Sequence, residues 1–193
     1  MRKKYILVTL FTAVILIVCL VIGIPIIKNN KAKIIEKDLK EYEATLELVK
    51  DINHNSDFGG LELLKFSDES GENQQFHGGY DFSSKMEKIA EGGVEGIYFN
   101  YPKDSSDYRL ANISIAVIPY HVYSVAVGQN LRDAIFVLKE KGFTEYEINR
   151  DKDADFIFYR QLHVSINLKV SKDTEIIQTI TVSVYDKEDT MIY

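Results

Sequence analysis

Side chains able to do chemistry at neutral pH are few in this chain and widely spaced. The four histidines are His54, His77, His121 and His163, and none has a second ligand placed to read as a zinc site. His77 opens His-Gly-Gly-Tyr-Asp, where glycines could bring backbone amides to an anion, but the stretch reads as a loop. Asp151, Asp153 and Asp155 mimic the start of a calcium loop. The position that should be glycine is Phe156 and the closing glutamate is Leu162, so the segment reads as a polar turn. No nucleophile elbow, phosphate loop or dinucleotide fingerprint occurs. Asn112-Ile113-Ser114 matches a glycosylation acceptor but falls in an expected strand. The single cysteine, Cys19, lies in an apolar run, which leaves the rest of the chain without disulfide or thiolate chemistry. The expectation is a protein that is no enzyme and holds no cofactor or metal.

What remains is a surface, and strand periodicity says where. Leu162, Val164, Ile166, Leu168 and Val170 alternate with His163, Ser165, Asn167 and Lys169. Such a strand has one oily and one wet face, as in an antiparallel sheet covered on one side. The same phase elsewhere puts Asn112, Ser114, His163, Ser165, Asn167, Thr179, Thr181, Ser183 and Tyr185 on the wet face. Small polar side chains with tyrosine nearby resemble protein-binding surfaces, because tyrosine gives contact area at low entropy cost. These nine are the candidate partner-binding residues.

The elements that would carry them follow from patterning. Strands are expected at 61–66, 94–101 and 110–118, and beyond Gly142 four more form a meander without glycine or proline. A helix is expected from the Asn130 cap to Gly142, with Leu131, Ala134, Ile135 and Leu138 on one face, and a shorter one at 83–93 from the Ser84/Glu87 capping box. Two stretches, 79–118 and 128–167, align at an offset of 49 residues, with Gly79 and Gly93 falling on Gly128 and Gly142. Read as a repeat, they give two tandem helix–hairpin units. The fold class expected is α+β, an antiparallel sheet with helices on one face.

Ile6 to Ile27 is 22 residues without a charge, and a helix of that length spans the roughly 30 Å hydrocarbon core. Val18 before Cys19 is too bulky for a lipoprotein signal, and Val21-Ile22-Gly23 fits an ordinary cleavage site only loosely. The reading is an uncleaved single-pass anchor, with residues 1–5 a cytoplasmic tail and cleavage as the alternative. Moving Arg2, Lys3 and Lys4 outward would cost about 2.3 kcal/mol per charge per 100 mV, which puts the C-terminal domain outside the cytoplasm. Residues 28–54 read as an amphipathic juxtamembrane helix with Ile35, Leu39, Tyr42, Leu46 and Val49 in one stripe, and residues 55–193 as the extracytoplasmic domain. Six of the 23 basic residues precede Ile34, leaving 17 against 29 acids, a net charge of −12. Such a domain repels phosphates, which argues against nucleic acid as a partner.

Gly128, Ala134, Leu138, Gly142 and Phe143 resemble the start of a PASTA domain, the extracellular module of cell-wall-sensing kinases and penicillin-binding proteins. The resemblance covers some twenty residues, and the glycine- and proline-bearing second half of that domain is absent. The helix-then-meander order looks more like envelope proteins of the BamE and beta-lactamase-inhibitor type, which hold other proteins on an antiparallel sheet. The expected function is a membrane-anchored module that binds another protein, such as an inhibitor or immunity-type protein. The alternative is an envelope assembly or sensing accessory acting through the anchor and juxtamembrane helix.

Overall fold

The computed structural model describes residues 33–65, 75–77, 84–88, 93–100 and 108–185, so the expected anchor at 6–27 lies outside the described residues. Among those residues no helix is long and apolar enough to cross a membrane. The fold is α+β, with an antiparallel sheet and two helices. Two compact units divide the chain, Met1–Glu43 and Ala44–Tyr193. Helix α1 covers residues 33–55. Its first part, in the N-terminal unit, carries a 2.7 Å Lys40–Glu36 pair and leaves Ile34, Ile35 and Leu39 exposed.

In the second unit eight strands form one sheet and two form a small hairpin. The sheet strands are β1 (Gln75–His77), β2 (Ser84–Lys88), β3 (Val94–Asn100), β4 (Tyr108–Ile115), β7 (Thr144–Arg150), β8 (Ala154–Gln161), β9 (Val164–Ser171) and β10 (Ile177–Val184). Their order is β1-β2-β3-β4-β10-β9-β8-β7, every pairing antiparallel. Two meanders therefore meet at one seam, β4 against β10. The hairpin is β5 (His121–Val122) with β6 (Val125–Ala126), and helix α2 (Leu131–Glu140) follows it.

Alternation of residue type decides which side of the sheet is covered. Ile113, Ile115, Ile166, Leu168, Ile180 and Val182 share one face and are fully buried, whereas Asn112, Ser114, Asn167, Thr179, Thr181 and Ser183 on the other face are part-exposed. Apolar burial at about 25 cal/mol per Å² makes that face the one the helices and hairpin cover. Tyr123 knits the covering layer together. Its hydroxyl donates to Asp51 Oδ2 on α1 (3.0 Å), its N–H donates to Ser56 Oγ (2.9 Å), and its ring meets Phe143 edge-on at 6.4 Å. Gly96 belongs to this side for want of room: a Cβ there would come within 2.6 Å of Leu110 Cδ1.

Helix α2 begins and ends as expected. The Asn130 side chain accepts from Arg132 N–H at 2.9 Å. At the other end Gly142 takes φ +87°, and the N–H groups of Gly142 and Phe143 donate to Lys139 and Leu138 carbonyls, a Schellman motif. Leu138 and Phe143 are both buried beside it.

Three expectations are corrected. The segment from Ser84 is a strand, β2, not a helix: its backbone pairs with β1 and β3 on both sides, and that ladder outweighs a capping box with too few residues to nucleate a helix. The proposed repeat thus has a helix in one copy only; the hairpins β3–β4 and β7–β8 are what the two copies share. Residues 61–65 form a turn instead of a strand, because the Asn53 side chain takes both backbone groups of Leu63 (3.0 and 2.9 Å). The stripe of α1 also differs from the one expected. Thr45, Val49 and Ile52 are buried, while Ile35 and Leu39 are not.

Candidate functional site

The second face of the sheet is built from the residues between the core positions. Cross-strand register sets two rows on it. One runs Arg160, Ser165, Ser183, Asn112 across β8, β9, β10 and β4. The other runs Phe158, Asn167, Thr181, Ser114 over the same strands. Neighbours in a row are bonded side chain to side chain: Asn112 Nδ2 donates to Ser183 Oγ at 2.8 Å, and Ser114 Oγ lies 3.1 Å from Thr181 Oγ1. Such pairs hold short polar groups flat against the sheet.

All nine residues expected from the sequence fall on this face. Asn112, Ser114, Ser165, Asn167, Thr181 and Ser183 form the centre of the two rows, and Thr179 stands opposite Lys169 just beyond them. His163 and Tyr185 close one end: their rings stack at 6.1 Å with 14° between planes, and the Tyr185 hydroxyl donates to the Leu162 carbonyl at 3.1 Å. Two of the nine are corrected in exposure. Ser165 and His163 are buried, 2% and 7% exposed, because larger neighbours overhang them. The other seven are half-buried.

The face also carries residues that alternation alone does not find. Strand β7 has a bulge between Glu145 and Glu147, so Glu145 opposes Tyr159 while Glu147 opposes Phe158. The extra residue, Tyr146, is thereby turned towards the second face, where its ring lies 6.0 Å from Phe158 and 4.5 Å from the Arg160 guanidinium. Arg160 also lies 4.6 Å from the Tyr185 ring, and Lys169 lies over Phe156 at 5.8 Å. Half of the face is therefore small and polar, and the half along β7 and β8 is aromatic and cationic. The available signal is Phe156-Ile157-Phe158-Tyr159, a run with no polar position, which marks a strand packed on both sides.

Elsewhere the residues with chemical potential are otherwise engaged. Lys172 Nζ lies 3.5 Å from Asp155 Oδ1 and donates to the Asp151 carbonyl, so a lysine stands where a calcium ion would need oxygen ligands. Among the described residues no group of His, Cys, Asp and Glu could hold a metal ion. No family model, curated protein or solved structure matches the chain.

Proposed function

We propose that this chain is a membrane-anchored, extracytoplasmic module that binds another protein through the second face of its sheet. The observation that carries the reading is the pairing on that face of a half of short polar side chains with an aromatic and arginine half. Tyrosine and arginine are the residues on which binding energy concentrates, and short hydroxyl and amide groups beside them let a partner approach closely. The sharper form is an inhibitor or immunity-type protein that neutralises an exported enzyme or toxin at the cell surface. The domain's net charge of −12 fits a protein partner better than nucleic acid.

The test is capture by the full chain, detergent-solubilised, from surface and secreted fractions. Thr179→Lys with Thr181→Lys should abolish capture and leave the melting temperature within about 2 °C. An unpaired charge in the centre of a packed interface costs several kcal/mol, while the free domain already shows these positions to water. An unchanged set of captured proteins would sink the sheet-face reading.

A second reading, the envelope assembly or sensing accessory, is favoured by one observation. Ile34, Ile35 and Leu39 expose an apolar stripe on α1, close in sequence to the proposed anchor. Ile35→Asp with Leu39→Asp should lose the partner only if this helix is the contact. For location, the membrane-fraction protein should keep its N-terminus and carry no lipid by mass spectrometry, and protease added to intact, wall-stripped cells should remove the domain. A chain beginning at an acylated Cys19, or full protection, would overturn the anchor or its orientation.

A further inference from the structure

Arg160 is held in an unusual way for a surface cation. Its guanidinium carbon lies 4.5 Å from the Tyr146 ring centre and 4.6 Å from that of Tyr185, and His163 stacks on Tyr185. Its Nε is buried and has no hydrogen-bond acceptor, and no carboxylate forms an ion pair with it among the described residues. A guanidinium stays charged at any ordinary pH and presents its terminal N–H groups as a planar fork. Flanked by two rings, it has already given up the freedom that a binding event would otherwise have to remove. A charge fixed in place with no anion on it among the described residues has the properties of an oxyanion site.

Position and charge narrow the ligand. Arg160 ends a row that continues through Ser165 and Ser183 to Asn112, and three strand spacings make that lane about 14 Å long. Ser183 and Asn112 along it are short and half-buried, whereas Ser165 next to the fork is covered. A domain of net charge −12 repels a dianion more than a single carboxylate, and the fork pairs with a carboxylate in a bidentate way. We infer that Arg160, clamped by Tyr146 and Tyr185, is the anchor for an aspartate or glutamate side chain of the partner protein. The occupant, though not the anion site, rests on the protein-binding reading above.

The full chain in detergent micelles, labelled with fluorotyrosine, is titrated at low ionic strength with three probes. These are N-acetylated, C-amidated triglutamate, the matching triglutamine, and inorganic phosphate. Triglutamate should bind saturably and shift the fluorine signals of Tyr146 and Tyr185, and triglutamine should not. Binding should weaken at least tenfold in Arg160→Gln and also in Arg160→Lys, which keeps the charge and lacks the fork. Equal triglutamate binding by wild type and Arg160→Gln, no triglutamate binding, or phosphate binding as tight as triglutamate would overturn the inference. If Arg160→Gln does not fold, the wild-type spectrum decides, and shifts confined to other tyrosines overturn it. Capture of a partner equally by Arg160→Gln would remove the anchor and leave the protein-binding reading intact. Triglutamate bound at Arg160 with no partner captured would do the reverse.

Discussion

Tyr123 shows how much one side chain can tie together. It sits at φ +55°, bonds Asp51 and Ser56, meets Phe143, and lies under Lys141 Nζ at 4.5 Å. Burial first, then the Asp51 hydrogen bond and the Asp51 charge, push its phenol well above the usual tyrosine range. Tyr159 is raised in the same direction by burial and by Glu145. The sign follows from which state keeps the proton. The unfolded chain releases its tyrosine protons near pH 10 while the folded one retains them, so stability is full below pH 10 and declines above it. We expect Tyr123→Phe to cost about 1 kcal/mol at neutral pH, since Asp51 can turn to water, and to make the alkaline decline shallower. Melting curves from pH 8 to 11.5 check both, and an equally steep decline in the variant would count against the linkage.

At the scale of elements the two faces of the sheet give opposite expectations. Ile166→Ala should destabilise by about 2–4 kcal/mol, because it opens a cavity at a fully buried position. Thr179→Ala, half-buried on the other face, should stay within about 0.5 kcal/mol. Denaturant titration of the two variants tests the register, and equal costs would refute it. That register was legible in the sequence for β9 and for the stretches 112–115 of β4 and 179–184 of β10, where polar and apolar residues alternate strictly, and so were the Asn130 cap and the Gly142 stop. Tyr146, Phe158 and Arg160 were not. A bulge shifts the phase of β7 by one residue, and β8 is apolar on both sides, so period two carries no information there. The strand at Ser84 was hidden for a different reason: its partners β1 and β3 are its neighbours in the chain, but Ser84-Lys85-Met86-Glu87-Lys88 has a single apolar residue and so no two-residue alternation to mark it.

For the whole molecule the governing feature is the seam. Ser114 and Thr181 are bonded across 67 residues of chain, and β4–β10 is the pairing that makes one sheet of two meanders. Hydrogen exchange should find the amides of β9 and β10 slowest and those of β7, paired on one side, faster by orders of magnitude; uniform protection would contradict this. The outer edge of β7 has a further consequence. Among the described residues this strand pairs on one side, and an end strand offers unpaired N–H and C=O groups to any other chain. The bulge that turns Tyr146 towards Arg160 also bends this edge out of line, and Glu145 and Glu147 stand on either side of the bend. Two like copies meeting edge to edge would have to align kinked backbones and bring four carboxylates together. The same residue insertion that turns Tyr146 towards Arg160 therefore works against edge-to-edge pairing of two copies.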